Sequence, residues 1–302
     1  MDLRDLNAFA AVARRRSFRG AAQELGVSVS TLSVRLRDLE TLLGVRLLNR
    51  TTRSVAPTAA GERLLARIEP ALRELTVATN EVGDLRDIPS GRLRINSPAP
   101  ATQLVLAPMI APFLRRYPEV SLEIVDEPSL IDIVKAGYDA GVRYEENLAK
   151  DMVAVSLGPP QRYVVAAAPA FLDAHGRPRT PKDLLGAPCI TTRFPSRAAL
   201  PWEFEKSGRK IKIQPSDRLS GVNTAMQLRA AEGGVGFYLT FEDYVASAVA
   251  AGTLEVVLAD WCPSFPGPFL YYPSRRQNPS CLTAFVVFIK EWRTQQRSVR
   301  RR

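Results

Sequence analysis

The stretch "LGVSVSTLSVRLRDLETLLGVRLLNRTTRSVAPTAAG", residues 25–61, decides how this chain is read. Gly26 suits a helix end that needs positive φ, and Ser28 suits the cap of the next helix. From there Leu32, Leu36, Leu39 and Leu43 form an inward row that Gly44 closes. Upstream, a helix from Asp2 to Arg14 repeats Leu3, Leu6, Phe9 and Val12 at helical spacing. Ser17 caps a second helix whose buried side is Phe18, Ala21, Ala22 and Leu25. Two helices across a short glycine turn make a helix-turn-helix unit. The face opposite Leu32 and Leu36 carries Ser30, Val34 and Arg37, flanked by Thr31 and Ser33. Short hydroxyls let a helix backbone approach another surface and hydrogen-bond to it, and Val34 suits a thymine methyl. Then "VRLLNRTTRSVAPT" alternates as two short strands around "NRTTRS", a wing with Arg50 and Arg53 placed for phosphate or minor groove. The conjunction points to double-stranded DNA. The alternative is a small helical bundle with a solvated hairpin.

Working outward, Thr58 caps a long helix reaching about Asp87. Leu64, Ile68, Leu72, Leu75 and Val82 form a stripe on it, and a stripe of that length asks for a partner helix. Pro70 should kink that helix. Pro89 and Gly91 end it and mark a domain boundary. Beyond Arg92 strands and helices alternate: "LRINS", "TQLVLAPMIAPFLRRY", "VSLEIV", "SLIDIVKAG" and "DAGVR", then a second series from "QRYVVAAA". Such alternation implies open α/β sheets with ligands at the carboxyl ends of strands. The polar residues at those ends are Ser97, Thr102, Ser129, Arg143, Thr192, Arg193 and Asn223. Each alone reads as a cap or loop residue before it reads as a ligand contact. Two arginines facing one cleft would favour a carboxylate-bearing ligand. The alternative is that either one pairs with an acid such as Glu145 or Glu203.

The formal net charge is +10, and residues 1–58 hold ten Arg, no Lys and five acids. A basic N-terminal fifth suits an anionic partner. The tail "RTQQRSVRRR" adds five Arg and reads as a solvated run. Cys189, Cys262 and Cys281 lie far apart, and His175 is the only histidine. That excludes metal-ligand spacings and a His-based triad, and it fits small core hydrophobes in a reducing cytoplasm. No metal and no cofactor is expected. The N-terminus does not read as a signal peptide, and no segment approaches a membrane span. A G-x-S-x-G elbow, a Walker loop and strand-following fingerprint glycines are all missing, so an enzyme is not expected.

The run from Ser17 to Gly61 resembles the LysR-type transcriptional regulators, through "SFRGAAQELGVSVSTLSVRLRDLE" and "LGVRLLNRTTRSVAPTAAGERLL". The likeness continues through "GRLRINSPA", "DAGVRYEENLAKDMVAV", "GVGFYL" and "FPGPFLYYPSRRQ", nearly the whole chain. It implies an α/β protein with an N-terminal all-α winged helix-turn-helix over residues 1–58 and a linker and dimerisation helix over 59–89. An effector domain like periplasmic binding proteins would follow over 90–302. Its lobe I would take about 90–161 and 266–302, and lobe II about 162–265. Carried over by position, Ser28, Ser30, Thr31, Ser33, Val34, Arg35, Arg37, Arg50, Thr52 and Arg53 would meet DNA. Ser97, Thr102, Ser129, Arg143, Thr192, Arg193 and Asn223 would line the effector cleft. The resemblance implies a homodimer or homotetramer on an imperfect inverted repeat, a small-molecule effector such as a carboxylate, contact with RNA polymerase and no membrane. Where many members carry Gln or Pro near 29–30 and Arg–Gln at 34–35, this chain has Val29, Ser30, Val34 and Arg35. Two other readings compete: a DNA-organising protein without ligand response, and an α/β enzyme with a DNA-binding appendage.

Overall fold

The computed structural model describes the chain apart from residues 1, 51–54, 84–87, 127–131, 135, 145–150, 195, 275–277 and 300–302. Side chains at 73, 74, 76–83 and 297–299 also lie outside the description. The first three helices start and stop where their caps dictate. In α1 (Leu3–Arg15) the Asp2 carboxylate accepts from the Arg4 N–H, and the Asp5 carboxylate accepts from the Asp2 N–H. In α2 (Phe18–Leu25) Ser17 Oγ accepts from the Gly20 N–H at 3.2 Å, and Gly26 ends the helix at φ 64°. In α3 (Val29–Leu43) Ser28 Oγ accepts from the Thr31 N–H at 3.0 Å, and Gly44 ends it at φ 65°. β1 (Leu48–Arg50) and β2 (Val55–Pro57) pair antiparallel, with Asn49 opposite Ala56, as the wing requires.

Phe9, Val12, Leu32, Leu36, Leu39 and Leu47 bury together to form the core of this unit. Leu43 does not join them. It is 40 % exposed, because the expected inward row outruns the three-helix contact by one turn. In α4 (Ala59–Gly83) Thr58 Oγ1 accepts from the Gly61 N–H at 3.0 Å and donates to the Arg46 carbonyl at 2.8 Å. The start of α4 is thereby fastened to the chain just ahead of the wing. A Cβ on Gly61 would lie 2.1 Å from the Leu47 carbonyl oxygen, so only glycine fits. Pro70 lies inside α4, which continues through it. Leu64 and Ile68 were expected on a partner-facing stripe. They pack with Leu65 against the winged unit's own core, because the first turns of α4 lie on that core. Leu75 is 47 % exposed, and the Val82 side chain lies outside the description.

Two sheets follow. The first has the order β4-β3-β5-β15-β6, from β3 (Gly91–Ser97), β4 (Val120–Asp126), β5 (Ala140–Arg143), β6 (Met152–Ser156) and β15 (Phe269–Pro273). β4 and β5 run parallel to β3, while β15 is antiparallel to β5 and β6. The second sheet is built from β7 (Gln161–Ala167), β8 (Pro188–Thr192), β11 (Ser216–Gly221), β12 (Phe237–Phe241) and β13 (Glu255–Val257). Its order is β11-β8-β12-β7-β13, with β14 (Ser264–Phe265) also on β7. A separate hairpin joins β9 (Trp202–Lys206) to β10 (Arg209–Ile213). The chain therefore crosses between the sheets at 157–160 and again at 266–268.

β7 explains why the second sheet is covered on both faces. Val165 and Ala167 enter one core and Val164 and Ala166 the other, as a period of two requires. The helical part of the first lobe departs from a single helix. α5 (Ala99–Ala101), a π-helical segment at Thr102–Leu106 and α6 (Ala107–Arg116) run in series. Pro108 has no N–H for the Leu104 carbonyl, and the widened turn before it absorbs that mismatch. "SLIDIVKAG" was read as a helix. Its described residues, 132–134, 136 and 137, form no helix: Gly137 adopts φ 79°, and its N–H reaches back three residues to Val134 where that of Ala136 reaches back four to Asp132. The remaining helices are α7 (Pro169–His175), α8 (Thr224–Glu232), α9 (Glu242–Ala250) and α10 (Ser280–Val299).

Candidate functional site

At the start of α3 three hydroxyls form one cluster. Ser28 Oγ lies 2.7 Å from Ser30 Oγ and 2.8 Å from Thr31 Oγ1. All three residues are exposed, as are Arg37 and Val34, the latter by 50 %. Ser33 and Arg35 are half-buried beside them. An exposed Val34 among hydroxyls contributes nothing to the core, so its side chain is available for an apolar contact outside the molecule. The helix N-terminus and the hydroxyls together supply donors for phosphate.

The wing is fastened by a residue that the sequence pattern did not single out. Glu40 Oε1 accepts from the Leu47 and Leu48 N–H groups at 2.9 and 3.1 Å, and Oε2 accepts from Arg50 Nη2 at 2.9 Å. The Arg50 guanidinium also sits over the Phe18 ring, 5.0 Å from its centroid. Arg50 is expected at phosphate or minor groove together with Arg53. It is engaged at the wing base, because Glu40 on α3 reaches across to β1. Thr52 and Arg53 lie outside the described residues. The local signal for Glu40 was its place as one of two acids, with Asp38, in a basic, hydroxyl-rich run.

The second candidate region joins the carboxyl ends of the strands in the first sheet. Ser97 ends β3 fully buried, and Thr102 Oγ1 donates to Ser97 Oγ at 2.9 Å. Arg143 ends β5 and is buried, with Nη2 donating to Asn96 Oδ1 at 2.5 Å and Nη1 to the Val142 carbonyl at 2.6 Å. Its guanidinium lies 5.9 Å from the Tyr271 ring centroid. Asn96 Nδ2 is buried and has no hydrogen-bond partner among the described residues. Ser129 and Glu145 lie outside the description.

Arg193 does not present a bare charge. It pairs with Asp217 on β11 and donates to the Arg197 carbonyl at 3.2 Å. Asp217 also accepts from the Thr191 hydroxyl at 2.8 Å. The partner acid is thus neither of the two expected, and Glu203 pairs with Lys212 instead. β11 and β8 are parallel neighbours with Asp217 opposite Cys189, which brings the pair together. Arg193 holds the Asp217 carboxyl below its ordinary value of 3.8. Thr192 Oγ1 is 3.5 Å from Gln227 Nε2, and Asn223 Oδ1 caps α8 by accepting from the Met226 N–H at 2.9 Å.

Aromatic residues connect the lobes where polar ones were expected. Tyr144, directly after Arg143, packs 5.5 Å from Phe241 and 6.0 Å from Phe265 in the second lobe. Tyr163 packs on the same two rings at 4.5 and 5.4 Å. Burial pushes the Tyr144 phenol up strongly and that of Tyr163 to about 12. The Tyr144 hydroxyl is buried with no hydrogen-bond partner among the described residues. Tyr244 on α9 donates to Gln103 Oε1 at 2.9 Å, a direct polar link between lobes. The signal for Tyr144 was its place one residue past a strand end.

Among the described residues, no three His, Cys, Asp or Glu side chains are grouped to hold a metal ion. No helix among them is long and apolar enough to cross a membrane.

Comparison with known proteins gives two family matches. The family described as bacterial regulatory helix-turn-helix protein, lysR family, matches residues 3–62, and the LysR substrate binding domain matches residues 86–294. The HTH-type transcriptional regulator YcaN of Escherichia coli K12 is 39 % identical over 290 residues, covering 96 % of this chain and 95 % of that one. The HTH-type transcriptional regulator PgrR of the same organism is 34 % identical over 290 residues, covering 96 % and 97 %. The full-length structure of the Vibrio cholerae virulence activator AphB, a member of the LTTR protein family, superposes with a TM-score of 0.66. It is 25 % identical and covers 97 % of this chain and 100 % of that one. The relatives are named as transcriptional regulators, not as enzymes.

Proposed function

The chain belongs to the LysR family of bacterial transcriptional regulators, a DNA-binding regulator with an effector-binding domain, and on that premise we propose how this member reads DNA and senses its ligand. Residues 1–58 form the DNA-binding unit, 59–89 the linker and dimerisation helix, and 90–302 the effector domain. α3 enters the major groove. Ser28, Ser30, Thr31 and Ser33 hydrogen-bond to phosphate or base edges, Val34 meets a thymine methyl, and Arg35 and Arg37 add charge. The wing follows the backbone through Thr52 and Arg53, while Arg50 holds the wing's shape. The observation that carries this reading is the exposed hydroxyl cluster at the α3 N-terminus beside a 50 % exposed Val34.

Two copies present two such units to an imperfect inverted repeat, as a homodimer or as half of a homotetramer, within reach of RNA polymerase. The exposed Leu75 supports a partner along the second half of α4. The effector is a small organic acid held between the lobes near Ser97, Thr102 and Arg143. A buried guanidinium at the end of β5, and two hydroxyls at the end of the neighbouring strand β3, support that chemistry. Thr192, Arg193 and Asn223 shape the second lobe's edge of the cleft through the bonds they already make. A ligand changes DNA binding only if it favours one lobe arrangement over another.

The test is operator binding by Val34→Asp. The side chain is exposed, so folding is retained, but a carboxylate now faces the DNA. Affinity for the operator should fall by about a factor of ten or more at matched salt. Unchanged affinity in a folded variant would remove α3 from the interface.

A further inference from the structure

One turn of the second lobe meets the first lobe at two points. Phe241 ends β12 and caps α9, and Tyr244 lies three residues further, with the two rings 6.2 Å apart. Residues at that spacing share one helix face. Phe241 packs on Tyr144, and Tyr244 donates to Gln103 in the π-helical segment. Each of these first-lobe partners stands one residue beyond a candidate effector contact: Gln103 follows Thr102, and Tyr144 follows Arg143.

Tyr144 is held in a divided way. Its ring gains from Phe241 and Phe265, since offset and edge-on aromatic pairs stabilise beyond the area they bury. Its hydroxyl loses, because it is buried with no hydrogen-bond partner among the described residues. An unmade hydrogen bond in the interior costs more than a made one returns. Separation of the lobes would let water reach that hydroxyl and remove the cost, while the ring contacts and the bond from Tyr244 to Gln103 would be lost. The same side chain therefore draws the lobes together through its ring and apart through its hydroxyl.

We propose that Tyr144, Gln103, Phe241 and Tyr244 form a poised latch between the lobes. Their contacts hold the arrangement seen here, and the unsatisfied Tyr144 hydroxyl keeps a second, more open arrangement within reach. A ligand shifts such an equilibrium only when it favours one of the two arrangements. A ligand beside Thr102 and Arg143 would act on the two residues that carry the latch. That last step rests on the effector reading given above; the latch itself does not.

The experiment measures the distance between the lobes in the full chain. The crossovers join the sheets near β6, β15 and β7, so β4 and β11 form the edges farthest from the hinge. Ser121 on β4 and Ser220 on β11 are exposed, and nitroxide labels on Ser121→Cys and Ser220→Cys report the lobe angle by pulsed electron spin resonance. The native cysteines are buried and do not compete for the label. The labelled chain is diluted into excess unlabelled chain before assembly, so that each distance is read within one chain.

The parent should give a shorter and a longer distance. Two substitutions that each remove a single oxygen should then act in opposite directions. Tyr144→Phe, which deletes the unsatisfied hydroxyl and keeps the ring, should lower the ratio of longer to shorter distance by about tenfold. Tyr244→Phe, which deletes the bond to Gln103, should raise it by about threefold. Tyr144→Ala, which removes the ring as well, should make the longer distance dominant. A role confined to packing within one lobe would move none of these distances. A single distance that Tyr144→Phe leaves unchanged, a longer distance that it does not deplete, or shifts of the same sign in the two Tyr→Phe variants would overturn the proposal. The measurement needs neither DNA nor ligand, so its failure would remove the latch and leave the DNA-binding and effector readings standing.

Discussion

Replacing Glu40 should loosen the wing without touching the hydroxyl face of α3. Three donors converge on its carboxylate: the Leu47 N–H at 2.9 Å, the Leu48 N–H at 3.1 Å and Arg50 Nη2 at 2.9 Å. The Glu40 side chain is 15 % exposed, and Leu47 and Leu48 are buried at 1 % and 2 %. Water is therefore poorly placed to replace the lost acceptor. A hydrogen bond to a charged group contributes roughly 1.5–3 kcal/mol, and the partial exposure of Arg50 discounts its share. Glu40→Ala should then cost about 3 kcal/mol against local opening. Glu40→Gln keeps one carbonyl oxygen for the two backbone donors and should cost about 1 kcal/mol. Every 1.4 kcal/mol is tenfold in an equilibrium constant. Amide hydrogen exchange at Leu47 and Leu48 should therefore accelerate about a hundredfold in Glu40→Ala and less than tenfold in Glu40→Gln. The amides inside α2 should be much less affected. Exchange at Leu47 and Leu48 in Glu40→Ala within a factor of about two of the parent would mean that the carboxylate does not hold the strand.

Other outcomes follow from particular contacts. Asp217 is held below its ordinary carboxyl value of 3.8, so its pairing with Arg193 stabilises the fold above that value and is lost as pH falls through the lowered one. Asp217→Asn should lower the urea midpoint at neutral pH by the equivalent of about 1 kcal/mol or less, given the exposure of the pair. That gap should close on acidification below 3.8, and a gap independent of pH would count against the pairing. All three cysteines are buried, and burial pushes Cys189 up to about 12 and Cys262 up to about 11. Iodoacetamide at mildly alkaline pH should leave the native protein unmodified and label all three after unfolding; rapid labelling of the native state would contradict their burial. Leu72→Glu with Leu75→Glu would place unpaired charges between partner helices, at a cost of several kcal/mol. Sedimentation should report monomers, and an intact oligomer would exclude that part of α4 from the interface.

The sequence made the winged unit legible because its signals are local. Ser17, Gly26, Ser28 and Gly44 each cap a helix through bonds within a few residues, and each does so in the structure. The alternation of strands and helices was legible for a similar reason, since β7 reads as a short continuous apolar run, and a strand covered on both faces needs such a run. What escaped was set by distance in the chain. Asp217 lies 24 residues from Arg193, and only the parallel pairing of β8 and β11 brings them together. Leu64 and Ile68 carry the spacing of a partner-facing stripe, yet nothing local says which surface takes them. The chain's own core does. Leu43 extends a periodic row past the last neighbouring helix. The aromatic contact of Tyr144 with Phe241 and Phe265 joins two lobes that the chain enters and leaves by separate crossovers, so no sequence window contains it.

This chain should bind a defined operator through α3 and the wing and alter that binding when a ligand occupies its regulatory domain. A nuclease footprint on operator DNA, taken with and without a mixture of small organic acids, tests both halves at once. The expected result is a bounded footprint of two half-sites whose extent or affinity changes with the acids, and a change that Arg143→Ala reduces. Uniform protection along the DNA, identical in the presence and absence of the acids, would contradict it and favour a DNA-coating protein.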